Sequence, residues 1–190
     1  MADSSKSMRF QTMVLPHLHS AFNLAYWLTR NRQDAEDVVQ EAYLRAFKFF
    51  DGFHGDDSRA WLLTIVRNSF YTWYRKNRDA AGEMTVFDEE MHSAAAQEAA
   101  EGLRCSDDPE RLLMTKDGAR TMQQALDSLP IEFREVMIMR ELEELSYKQI
   151  ADIIGIPIGT VMSRLGRGRK LLAQALAPEM REASWITKTR

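Results

Sequence analysis

Leu145-Ser146-Tyr147-Lys148-Gln149-Ile150-Ala151-Asp152-Ile153-Ile154-Gly155-Ile156-Pro157-Ile158-Gly159-Thr160-Val161-Met162-Ser163-Arg164-Leu165 reads as two short helices joined by a tight turn, the layout of a DNA-reading helix-turn-helix. Ser146 is placed to cap the helix that starts at Tyr147, its hydroxyl accepting from a backbone N–H that has no partner within the helix. Ile150, Ala151 and Ile154 fall on one face, and the small Ala151 permits close helix approach. Gly155 supplies the turn. In the second helix Val161, Leu165 and Leu172 share an inner face. Ser163, Arg167 and Lys170, flanked by Arg164 and Arg169, face outward. No acid occurs between Ile153 and Pro178, so this helix suits the phosphates of DNA, with its N-terminal side chains within reach of base edges in the major groove.

Working upstream, the pattern stays helical and no strand alternation stands out. Pro130 sits at the first turn of a helix expected to reach about Glu143, and helical character extends back from Leu129 to Glu110. Residues 79–117 break the pattern. They carry 3 Lys/Arg against 11 Asp/Glu, a net of −8, whereas residues 1–78 net +3 and residues 118–190 net +2. The overall charge of −3 therefore hides two mildly basic ends around an acidic middle, read as a flexible linker. The tail from Pro178 to Arg190 has little periodicity.

The N-terminal segment carries a second module. Phe10 to Arg30 predicts one helix, or two broken near Pro16. Asp34 to Phe50 is the clearest amphipathic helix, with Ala35, Val38, Val39, Ala42, Tyr43, Ala46, Phe47 and Phe50 on one stripe and Asp34, Asp37, Glu41, Arg45 and Lys48 opposite. Asp51 to Ser58 is a loop of turn formers, with Ser58 the expected cap of a helix over Arg59–Asn77. That helix buries Trp61, Leu62, Ile65, Val66, Ser69, Phe70 and Trp73. Its other face offers Arg67, Asn68, Tyr71, Tyr74, Arg75 and Lys76. Aromatics interleaved with cations suit single-stranded nucleic acid, whose bases stack on rings while Arg and Lys hold the backbone.

With 45% hydrophobic and 28% charged residues, the chain is expected to fold as a soluble, all-α protein. It would have two small helical domains, residues 1–78 and 118–177, joined by the acidic linker 79–117 and followed by the tail 178–190. No apolar run approaches the roughly 18 residues that a spanning helix needs, and Met1 to Arg9 lacks a signal-peptide core, so a cytoplasmic location without membrane insertion is expected. The lone Cys105 cannot close an internal disulfide and is read as a passive linker thiol. His17, His19, His54 and His92 have no metal-ligand spacing. With no nucleophile–base arrangement either, neither an enzyme nor a metal or other cofactor is expected.

Three stretches carry a family resemblance: Leu28 through Phe47 (with Asp34-Ala35-Glu36-Asp37), Ala60 through Asn68, and Leu129-Pro130 through Arg169. In that order and spacing the chain resembles the extracytoplasmic-function sigma factors, the two-domain group of bacterial transcription initiation factors. The resemblance implies core RNA polymerase binding by Asp34, Asp37, Gln40, Glu41 and Arg45. It implies capture of the melted −10 strand by the His54–Asp57 loop, with His54 and Asp56, and by Arg67, Asn68, Tyr71 and Arg75. Duplex −35 DNA would lie on Thr160, Ser163, Arg164, Arg167 and Lys170. The sequence departs from the family at Met162 and Gly166, where members often carry basic or aromatic residues. An anti-sigma factor is a further implied partner, and the free chain is expected to be monomeric. The competing readings are a helix-turn-helix operator-binding regulator, which would leave the Asp34–Arg78 segment unexplained, and a sigma-like decoy for an anti-sigma factor.

Overall fold

The computed structural model describes the backbone of residues 2–80 and 116–187 and the side chains of residues 5–77 and 120–177. The acidic segment 81–115, Cys105 and His92 included, lies outside the described residues, as do the side chains beyond residue 177. Helix α1 (Ala2–Met13) leads through a 3-10 turn (Leu15–His17) into α2 (Leu18–Thr29), so the break falls at Pro16, as one of the two sequence readings had it. The proline ring fixes φ and removes a donor, which a first turn tolerates and a helix interior does not. Helix α2 stops at Arg30, whose φ of 60° is left-handed.

Helix α3 (Arg32–Phe49) starts on Asn31, whose side-chain oxygen accepts from the backbone N–H of Gln33 at 2.8 Å and of Asp34 at 3.2 Å. Its buried residues are Ala35, Val38, Val39, Ala42 and Ala46, the stripe expected from the spacing, but Phe47 is 37% exposed. A 3-10 turn (Phe50–Gly52) precedes helix α4 (Ser58–Ala80). Helices α2, α3 and α4 pack pairwise against one another. Phe50 closes the bottom of this core, fully buried. The ring of Phe10 meets it edge-on at 5.2 Å, and Phe53 and Trp61 lie at 6.4 and 6.2 Å. Tyr43 donates to the carbonyl of Val14 at 3.3 Å, and burial pushes its hydroxyl up to about 12.

The start of α4 differs from expectation. Asp57, not Ser58, accepts from the backbone N–H of Ala60, at 2.8 Å. Ser58 instead donates to the carbonyl of Met13 at 2.8 Å and lies 3.1 Å from His17 Nε2. An acceptor one residue earlier is better placed for the third backbone N–H of the helix, and its charge complements the helix dipole.

Helix α5 (Lys116–Ser128) and helix α6 (Ile131–Met137) are followed by a π-helical turn (Ile138–Leu142), helix α7 (Tyr147–Ile154) and helix α8 (Ile158–Thr187). Pro130 precedes α6, its carbonyl accepting from Phe133 and Arg134. Helix α8 runs on past Pro178, beyond the end near Leu176 that periodicity suggested. The described residues contain no strand. Two compact units result. Of the described residues, one gathers 2–80 and Glu135–Met162, the other 116–134 and 163–187. In the first unit α7 packs on α4, and the π-helical turn packs on α2. The second buries Ala125, Leu126, Leu129, Phe133, Leu165 and Leu176. The first unit thus draws residues from both modules read in the sequence.

Candidate nucleic-acid and protein interfaces

The helix-turn-helix forms as its residues dictate. The Ser146 hydroxyl accepts from the Gln149 N–H at 3.2 Å while the Gln149 side chain accepts from the Ser146 N–H at 2.9 Å, a reciprocal capping box. At the other end of α7, Gly155 takes φ 79° and its N–H donates to the Ala151 carbonyl at 2.8 Å. That left-handed turn favours glycine. Ile150, Ala151, Ile153 and Ile154 are buried, and so are Val161 and Leu165 of α8. Leu172 is only half-buried, and Leu176 takes the inner position one turn later.

Of the residues assigned to duplex DNA, Ser163 is exposed, and Thr160, Arg164, Arg167 and Lys170 are half-buried. The Lys170 ammonium is withdrawn from solvent and has no hydrogen-bond partner among the described residues. Met162 is 54% exposed on the same helix. Gly166 is exposed, and a Cβ built there meets nothing within 4 Å. Gly166→Ala should therefore stabilise the fold by up to about 1 kcal/mol through helix propensity. Chemical denaturation of the two proteins measures this, and an unchanged or lower midpoint would show that the glycine meets another need.

On α3, Asp37, Gln40 and Glu41 are exposed, and Asp34 and Arg45 are half-buried. Arg45 Nε donates to Glu41 at 2.6 Å, an i,i+4 pair. Leu44 and Phe49, 63% and 60% exposed, add apolar area to this helix. An acidic row with exposed apolar side chains suits a basic protein surface better than DNA.

The residues assigned to single-stranded DNA divide. His54, Asp56, Asn68 and Arg75 are exposed, with His54 Nδ1 2.9 Å from the Gly52 carbonyl. Arg67 and Tyr71 are engaged by Glu135 of α6. Arg67 Nε and Nη2 donate to its two carboxylate oxygens at 2.8 and 3.2 Å, and the Tyr71 hydroxyl donates to Oε2 at 3.1 Å. The guanidinium also covers the Tyr71 ring, 4.6 Å from its centroid. Burial alone would lower the Arg67 pKa, but the hydrogen bond and charge of Glu135, helped by Tyr71, raise it above the ordinary value. Tyr74 stacks on Phe70 at 5.6 Å.

Three further contacts join α2 and the start of α4 to the segment after α6. Glu143, just after the π-helical turn, accepts from Arg59 Nη2 and, at 3.2 Å, from Asn23. Gln149 donates to Asp57 at 2.7 Å. The Ala60 N–H, then Gln149, Arg59 and His17, hold the Asp57 carboxyl below the usual range against the opposing effect of burial. Sequence reasoning missed Glu135 and Glu143. Neither carries a local signal, since an acid within a helical stretch normally faces water.

Residues 13–80 match the family described as sigma-70 region 2, and residues 119–172 match sigma-70, region 4. The chain is 32% identical over 177 residues to RNA polymerase sigma-H factor of Pseudomonas aeruginosa, covering 92% of this chain and 89% of that protein. It is 33% identical to ECF RNA polymerase sigma factor SigW of Bacillus subtilis, covering 88% of each. Among solved structures it resembles the sigma factor RpoE of Bartonella quintana, crystallised in complex with the anti-sigma factor NepR. There the TM-score is 0.65 at 31% identity, covering 89% of this chain and 97% of that one. No described helix is long and apolar enough to cross a membrane.

Proposed function

Because this chain belongs to the extracytoplasmic-function sigma factors of bacterial RNA polymerase, initiation factors that direct transcription to promoters, we propose how its residues divide that work. Core polymerase docks on the α3 row of Asp34, Asp37, Gln40, Glu41 and Arg45. The melted −10 strand is taken by His54, Asp56, Arg67, Asn68, Tyr71 and Arg75, and the duplex −35 element by Thr160, Ser163, Arg164, Arg167 and Lys170. Residues 1–78 and 118–177 are the working modules, and 79–117 the acidic connector between them. Capture of unstacked bases on aromatic rings returns about 1–3 kcal/mol per base, against an unstacking cost of a few kcal/mol. The chain thereby helps open the promoter, while polymerase supplies the phosphoryl-transfer chemistry.

The observation that carries this reading is the order of surfaces along one chain. An acid-faced helix comes first, then an aromatic and basic one, then a capped helix-turn-helix whose second helix has no acid from Ile158 to Pro178. The protein works as a monomer in the cytoplasm, where polymerase is, and an anti-sigma factor holds it inactive. The test is run-off transcription by purified bacterial core polymerase on pooled genomic promoter fragments, with and without the protein. Discrete new start sites, together with co-elution of protein and core polymerase, are expected. Neither transcripts nor co-elution would overturn the proposal in favour of an operator-binding or decoy role.

A further inference from the structure

On the −35 assignment of α8 made above, we propose that Met162, flanked by Ile158, selects a thymine in that element by packing on its 5-methyl group in the major groove. That methyl is the one apolar group a base pair displays there; the rest are hydrogen-bond donors and acceptors.

The start of α8 shows solvent an uncharged face. Its exposed residues from 158 to 166 are Ile158, Gly159, Met162, Ser163 and Gly166. Ile158 is 45% exposed and Met162 54%, and a spacing of four sets them side by side on the helix. The core of the same stretch is filled by Val161 and Leu165, so neither exposed side chain is needed there. Arg164, Arg167, Arg169 and Lys170 follow, with no acid before Pro178. Such cations hold phosphates and fix the helix on the duplex, but carry no sequence information. The residues of a recognition helix that lie over base edges are those near its N-terminus, and here the large ones are apolar.

The neighbours of Met162 on this face include two glycines. Gly159 precedes it by three residues and Gly166 follows it by four, the spacings that bring helical residues together. A Cβ built at either glycine meets nothing within 4 Å, and neither has a positive φ. Packing within the chain thus gives no reason for glycine, and each one costs helix propensity. Bare backbone does let an outside surface come close, and Met162 is the side chain that then meets it. A thioether donates no hydrogen bond and accepts only weakly. Set against a polar base edge, it displaces water without replacing the water's hydrogen bonds. Set against thymine, it takes a methyl group out of water, and its unbranched chain adapts to that group's position.

Run-off transcription on pooled promoter fragments locates a −35 element. That promoter is synthesised with each −35 thymine replaced in turn by deoxyuridine, which lacks only the methyl. Core polymerase loaded with full-length wild-type or Met162→Ala protein is then titrated with each duplex at one salt concentration. At one position deoxyuridine should weaken wild-type binding about fourfold, the worth of one methyl group withdrawn from water. Met162→Ala should bind the thymine promoter about fourfold more weakly and be indifferent to deoxyuridine at that position. Met162 is exposed, so circular dichroism should show an unchanged fold. A −35 element without thymine, wild-type indifference to every replacement, or equal sensitivity in Met162→Ala would each overturn the proposal. So would a Met162→Ala loss with no dependence on the −35 sequence, which would assign this face to a protein partner. If wild-type protein gives no transcript, the −35 reading itself falls, a result distinct from a working promoter that ignores the methyl.

Discussion

Phe50→Ala will lower the unfolding free energy by about 3–5 kcal/mol, a large part of the roughly 5–15 kcal/mol that holds a domain of this size together. Phe50 is fully buried where α1, α3 and α4 converge, with Phe10, Phe53 and Trp61 around it and the Arg9 guanidinium 5.4 Å from its ring centroid. Truncation removes the ring's transfer energy and leaves a cavity. Its neighbours are rings carried on α1, on the loop before α4 and on α4 itself, and they cannot close that cavity without moving backbone. Phe49 is the internal control. It is 60% exposed, so Phe49→Ala should change stability by no more than about 0.5 kcal/mol. Urea unfolding followed by circular dichroism measures both. A Phe50→Ala loss under about 1 kcal/mol would mean that this aromatic cluster is not the core of the N-terminal helices.

The second large effect is expected on binding. Reversing charge at two exposed positions of α3, Asp37→Lys together with Glu41→Lys, should weaken binding to core polymerase at least about tenfold, because like charges then face each other across the interface. Stability should hardly move. Glu41 loses its pair with Arg45, but an exposed i,i+4 pair contributes only about 0.3–0.5 kcal/mol. Fluorescence anisotropy of the labelled protein titrated with core polymerase gives the affinity, and thermal unfolding gives the stability. Undiminished affinity with an intact fold would remove α3 from the polymerase interface.

The elements legible in the sequence are those set by near neighbours in the chain. Ser146, Gln149 and Gly155 act through backbone groups three or four residues away, so the capped helix and its turn follow from local composition. The buried stripe Ala35, Val38, Val39, Ala42 and Ala46 follows from the 3.6-residue period, and the break at Pro16 from a missing N–H. The candidate surfaces were legible to the same depth, as faces of helices. Errors arose where two acceptors competed within one turn, as at Asp57 and Ser58, or where a rim residue such as Phe47 had to be placed in or out of the core.

The sequence by itself therefore determined the helical class, the helix-turn-helix and the row of charges on α3, because each depends on spacing along a single helix. Tertiary structure alone decided what Arg67 and Tyr71 touch. They read as an open nucleic-acid face, but Glu135, 68 and 64 residues away, holds both. Glu143 meets Arg59 across 84 residues. A buried carboxylate is tolerable only where the fold brings it a cation and donors, and no periodicity in either segment encodes that meeting.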